Sequence, residues 1–296
     1  MPLFRRSDGD LVKNLSPVRY MIPFVMRGRN ESLVYTSAQW DVTKTRAWLR
    51  RYNRSRKAKE RATLFHLFIY ACVRMLHDRT GVNRFTSGGR IYQRRGVTIS
   101  FATKVEMSED APIVTVKLQF GANESFDEAV ARIAAAIEAA RAGVETRIDH
   151  EMKFFMKLPA WLLSKIISAG FVLDRWNLLP KSLIEPDPMF CSMFLANMGS
   201  LHIHNLFHHL YEYGTCSIFG VVGSVSHSDD GRDLLQVSWT VDERMNDGFY
   251  CQTALAFVRD TIADPDKRVM SLDDQPASGQ VERESDDSPA RTACAT

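Results

Sequence analysis

The sequence predicts an α/β sandwich built on a mixed sheet. Short β-rich runs alternate with longer segments of helical periodicity, and several of the runs are joined by hairpin-length links. The length, 296 residues, suffices for one large α/β domain or two small ones. Residues 32–41 (SLVYTSAQWD) partly alternate and predict a strand. Residues 43–58 are polar and basic, with Trp48 and Leu49 spaced for a surface helix. The run RRYNRSRKAKER within them reads either as a solvated helical face or as an anion-binding patch. Residues 64–76 (LFHLFIYACVRML) are apolar nearly all round, which predicts a buried helix. Three β-rich stretches follow at 89–93, 97–103 and 113–120. Ser125 opens a helix, with Glu128 three positions on as in a capping box, and the Ala-rich stretch carries it to about Ala142. Residues 189–197, 217–223 and 234–242 predict further strands, and 249–262 a last helix.

Composition is that of an ordinary soluble chain, 45% hydrophobic and 25% charged. A net charge of +3 gives no electrostatic reason to expect nucleic acid or an anionic membrane as the main partner. Five cysteines without a CxxC pair argue against a disulfide scaffold and for a reducing compartment. With no apolar leader and no apolar run of about 20 residues, the expectation is a cytoplasmic protein. Residues 1–10 read as a loose arm, 11–265 as one domain with an apolar insert at 154–182, and 266–296 as a polar, disordered tail.

The chemistry-bearing segment is LLQVSWTVDERMNDGFYCQTALAFVRDTIADP. It resembles the C-terminal part of the acyltransferase cores of 2-oxoacid dehydrogenase complexes, where a strand ends in Asp-His-Arg-x-x-Asp-Gly. Chloramphenicol acetyltransferase has a related His-His-x-x-x-Asp-Gly. Asp242, Arg244, Asp247 and Gly248 match the first pattern, and Glu243 stands where the histidine belongs. Four further pieces agree in order. Leu15 to Arg19 (LSPVR) resembles the family's Leu-Ser-Pro-x-Arg, and Asp41-Val42-Thr43 its first strand-to-helix turn. Val82-Asn83-Arg84 with Ile91-Tyr92 and Val97 to Ser100 resembles its P-x-x-N stretch. Leu195 to Gly199 (LANMG) resembles its Ile-Ser-Asn-Leu-Gly. The resemblance spans roughly residues 11 to 265.

It implies a chloramphenicol acetyltransferase-like two-layer sandwich, a homotrimer with sites at subunit contacts, and acyl transfer from a thioester to a thiol or hydroxyl. Acyl-CoA is the implied co-substrate, a small molecule the acceptor, and no covalently bound cofactor is expected. Arg19 and Asp247 are implied to form a bracing ion pair. Asp242, Arg244, Gly248 and Asn197 are implied to line the substrate channel. Ser192 is the candidate oxyanion donor, Cys191 lies beside it, and Ala196 stands where many relatives carry serine.

Glu243 decides the chemistry. A general base works best with a pKa near the working pH, and glutamate is intrinsically weaker than histidine by roughly 2 units. Burial in an apolar channel closes that gap. Three readings stay open: Glu243 as base, a transferase with another base, and a catalytically inactive trimeric binding or assembly protein.

His202, His204, His208 and His209 cluster in SLHIHNLFHHLYEYG. They lack an accompanying Cys or acidic ligand pattern, so no metal site is expected; His208 is the candidate stand-in base. Residues 154–179 (FFMKLPAWLLSKIISAGFVLDRWNLL) form an apolar insert flanked by Lys153, Lys157, Lys165 and Lys181. It reads as a helix packed on the body, as a lid for a longer acyl chain, or as a peripheral membrane contact. The layout is closer to the free-standing chloramphenicol type than to a complex core with lipoyl domains.

Overall fold

The computed structural model of the chain describes residues 5–104, 113–142, 155 and 157–273. A six-stranded sheet runs in the order β2 (Leu33–Asp41), β9 (Asp233–Asp242), β8 (Ile218–His227), β7 (Met193–Asn197), β5 (Val97–Lys104), β6 (Ile113–Phe120). The β8–β7 and β7–β5 pairs are parallel and the others antiparallel, so the sheet is mixed, as expected. A small second sheet has the order β1 (Gly9–Leu11), β4 (Arg90–Arg94), β3 (Arg84–Ser87).

Side-chain alternation along the strands divides the interior into two layers. Met193 and Leu195 face the larger core with Ile218, Trp239 and Val241. That core is completed by α2 (Thr43–Tyr52), α3 (Leu64–Asp78), α4 (Phe126–Arg141) and α7 (Gly248–Ala263). Phe194 and Ala196 face the opposite way, with Phe219, Val221 and Leu210. Trp239 stacks on Phe68 at 5.4 Å at the centre of the larger core.

The helix starts follow local rules. Ser125 caps α4, its backbone N–H donating to Glu128 Oε2 at 2.8 Å while its hydroxyl accepts from the Glu128 N–H. Ser125→Ala is expected to cost about 1 kcal/mol of unfolding free energy, measured by urea titration; an unchanged midpoint would show the cap contributes nothing. At the start of buried α3, the Thr63 N–H donates to His66 Nδ1 at 2.9 Å, which requires an unprotonated ring nitrogen. Burial pushes the His66 pKa down to about 4. The unfolded state therefore takes up a proton below about pH 6.5 that the folded state refuses. Stability is expected to fall as pH drops through this window, by about 2 kcal/mol at pH 5. Comparing urea unfolding at pH 7.5 and 5 for the parent and His66→Gln checks this, since the variant should lose that part of the dependence.

Several boundaries differ from expectation. The segment read as a loose arm is tied down: Arg6 is buried and pairs with Asp8 and Asp174, each at 2.7 Å, and Gly9 begins β1. The basic helix stops at Tyr52, where the Asn53 side chain turns to the backbone of Ala62. The first residues of the expected strand at 189–197 are an irregular approach, and pairing begins at Met193. The tail expected to be disordered from Asp266 continues as α8 (Pro265–Asp273), with Val269 buried and Asp266 paired to Arg51 at 2.5 Å. Residues 274–296 lie outside the described residues, as do parts of the insert before Lys157.

Within the insert, α5 (Ala160–Arg175) buries none of its residues, and Trp161 is 62% and Val172 56% exposed. The expectation of a packed helix holds only at its C-terminal end, where Asp174 meets Arg6 and Ser87 and Asn177 donates to the Tyr92 hydroxyl at 3.0 Å. A short helix, α6 (Lys181–Ile184), follows. Among the described residues, no helix is long and apolar enough to cross a membrane, and no group of three His, Cys, Asp or Glu is placed to hold a metal.

Candidate active site

β9 ends at Asp242, and the chain turns through residues 243–247 into α7. The turn is held by one buried ion pair. Arg244 returns over Asp242, Nε to Oδ1 at 2.8 Å and Nη2 to Oδ2 at 2.6 Å, and the Ser32 hydroxyl donates to Oδ1 at 3.2 Å. Asp242 is fully buried. Arg244 Nη1 also donates to the carbonyls of Met26 and Arg27, both at 3.2 Å, so the turn is fastened to the end of α1 (Pro17–Val25).

With Asp242 and Arg244 directed inward, the intervening Glu243 is directed outward. Its N–H donates to the Ser32 carbonyl at 3.0 Å, and its own carbonyl accepts from Arg19 Nη1 at 2.9 Å. The Glu243 carboxylate is exposed and makes no hydrogen bond or ion pair among the described residues. It lines a cavity of about 330 Å³ with Arg19, Asn246 and Asp247 at the polar rim and Ile22, Met26, Val34 and Leu255 as apolar wall. Helical spacing builds these walls: Arg19, Ile22 and Met26 lie along one side of α1 and its cap, and Gly248, Cys251, Gln252 and Leu255 along one side of α7.

The expected Arg19–Asp247 ion pair is absent among the described residues. Asp247 is the N-cap of α7, its Oδ1 accepting from the Tyr250 N–H at 2.8 Å, and Arg19 is engaged by the Glu243 carbonyl. Both residues still border the cavity, as does Gly248. Asp242 and Arg244 brace the turn and do not line this cavity.

Three other candidates sit elsewhere. Ser192 is buried, and its hydroxyl accepts from the Thr98 N–H at 3.0 Å, closing the gap between β5 and β7. Asn197 closes a turn by accepting from the Gly199 N–H at 3.1 Å. By register it lies beside Val222 and Val237, about 17 Å along the strands from Asp242. His208 stacks on Phe219 with ring centres 4.1 Å apart, and burial pushes its pKa down. Phe219 belongs to the layer opposite the cavity, so the sheet separates His208 from Glu243 of the same chain.

The sequence reading missed Thr36, Cys251 and Gln252, which line the cavity. Thr36 was detectable as a residue of the same strand face as Val34, and Cys251 and Gln252 by their three- and four-residue spacing from Gly248. Burial pushes the Cys251 thiol up to about 11, so it stays protonated at neutral pH and is no thiolate nucleophile.

The mixed sheet and the strand-end turn feeding α7 define an α/β sandwich of the chloramphenicol acetyltransferase-like fold. The structure is similar to a probable dihydrolipoamide acetyltransferase of Listeria monocytogenes, with a TM-score of 0.55 and 13% identity over 86% of this chain and 94% of that one. It is similar also to the dihydrolipoamide acetyltransferase of Azotobacter vinelandii, with a TM-score of 0.56 and 16% identity over 88% and 94% of the two chains. That structure concerns the role of a serine, a histidine and an asparagine in its catalytic mechanism. A chloramphenicol acetyltransferase matches with a TM-score of 0.51 and 11% identity over 86% of this chain and 98% of that one. No family model matches the sequence, and no curated protein matches it.

Proposed function

We propose that the chain is an acyltransferase that moves an acyl group from an acyl thioester, with acyl-CoA as donor, to a thiol or hydroxyl acceptor, and that Glu243 is its general base. The observation that carries this reading is the unpartnered Glu243 carboxylate at the edge of an apolar-walled cavity. The likeness in fold to acetyltransferases supports it.

In the proposed reaction the Glu243 carboxylate takes the acceptor's proton as the acceptor attacks the thioester carbonyl. The C–S bond then breaks, and the departing thiolate recovers the proton from Glu243. Thr36 and Gln252, in the same cavity, supply hydroxyl and amide donors for the oxyanion. The working unit is a homotrimer. Val18, Val25 and Phe249, near the cavity, are 71%, 72% and 82% exposed, and a second copy covering them would exclude water from the site. Loss of water makes a carboxylate a stronger base.

The test is release of free thiol from acyl-CoA in the presence of acceptor pools. Turnover by the parent that collapses in Glu243→Gln supports the proposal. No turnover by the parent, with turnover gained in Glu243→His, favours a non-catalytic trimeric binding protein. The placement of Ser192 away from the cavity is the observation that keeps this second reading in play.

A further inference from the structure

A second cavity, of about 630 Å³, is lined by Arg244 and not by Glu243. Its walls are the end of α1, the β3–β4 turn and the last turn of α5. These walls are fixed. Gly88 has φ +58, and a Cβ there would stand 2.3 Å from the Arg175 carbonyl oxygen, so the turn and the helix end meet backbone to backbone. Asp174 clamps the same junction, 2.7 Å from Arg6 Nη2 and 2.9 Å from the Ser87 hydroxyl.

Six charged side chains line this space: Arg27, Arg29, Arg175, Arg244, Asp174 and Glu212. Four are satisfied from within the protein. Asp174 is matched by Arg6, and Arg244 by Asp242. Glu212 accepts from the Arg29 N–H at 3.1 Å, and the Arg29 guanidinium donates to the Glu212 carbonyl at 2.6 Å. Arg27 and Arg175 make no ion pair or side-chain hydrogen bond among the described residues. Arg27 and Arg175, both solvent-exposed, thus line one cavity with no ion pair of their own, and Phe24 and Phe171 line it beside them.

We propose that this cavity binds a ligand through a phosphate group held between Arg27 and Arg175. Each guanidinium presents a planar fork of N–H donors that matches phosphate oxygens two at a time. A phosphomonoester carries about two negative charges at neutral pH, equal to the unmatched charge of the two arginines. The phosphate belongs either to a soluble metabolite or to a lipid headgroup. The exposed apolar face of α5 beside the cavity, with Lys165 within the helix and Lys157 and Lys181 before and after it, gives a headgroup a route in from a bilayer surface.

The full chain is titrated with glycerol 3-phosphate by calorimetry, and floated with phosphatidylcholine vesicles with and without phosphatidate. Saturable binding to at least one phosphate probe is expected. Arg27→Gln and Arg175→Gln should each weaken it about tenfold or more, and the double variant should abolish it. Lys44→Gln, on α2, should bind as the parent does, and thermal melts of all variants should coincide. Glycerol 3-phosphate binding identifies a soluble ligand; phosphatidate binding without it identifies a headgroup; both support the proposal. No binding to either probe, or binding that survives in the double variant, overturns it. Flotation that survives there would assign the membrane contact to the apolar face of α5 alone.

Discussion

Glu243→Gln is expected to lower turnover on acyl-CoA by about 10²- to 10⁴-fold while leaving KM nearly unchanged. Glutamine keeps the shape and both backbone contacts that place residue 243, to Ser32 and from Arg19. It loses only the ability to accept a proton. Because the carboxylate has no partner among the described residues, removing its charge strands no neighbour there, and the melting temperature should not move. A variant that retains the parent's rate would move the base elsewhere, with Asp247 the nearest carboxylate on the rim.

Arg244→Ala is expected to destabilise the fold by about 3–5 kcal/mol. Asp242 is fully buried, and the substitution removes the guanidinium that neutralises its charge, leaving only the Ser32 hydroxyl and the residue-244 N–H as donors. It also frees the Met26 and Arg27 carbonyls that fasten α1. For a chain of this size the loss corresponds to a drop of about 10 °C in melting temperature. Replacing both members, Asp242→Leu with Arg244→Leu, should recover much of the loss, since the cost lies in the unpaired charge and not in the absence of a salt bridge. Urea unfolding measures both. A single variant within 1 kcal/mol of the parent would mean that water reaches the pair.

The parts of the fold that were legible are those set by local chemistry. The all-apolar run of α3, the Ser125–Glu128 cap and the short β-rich runs each state their own conformation. The turn from Asp242 to Gly248 was legible from its residue pattern. Partnership was harder to read. Arg6 looked like part of a free arm because the aspartate that fixes it, Asp174, is 168 residues away in the insert. Arg19 and Asp247 border the same cavity but do not pair with each other, because Asp247 meets the nearer demand of the α7 N–H groups. Ser192 was a plausible donor by type, but it is buried between β5 and β7, where its hydroxyl accepts from the Thr98 N–H, and it does not line the cavity. The helical spacing of α5 left packed helix, lid and membrane contact all open because periodicity records an apolar face and not what covers it.

The pairing of Leu33 with Asp242 joins the first strand of the large sheet to its last. About 200 residues of chain must be made before β2 can meet β9. At cellular translation rates that is roughly 10–40 s, during which the growing polypeptide carries an unclosed strand that can bind wrongly to other chains. Folding of the sheet is therefore a late event in synthesis, and a ribosome stalled before residue 233 would hold a product with no correct place for β2 to go.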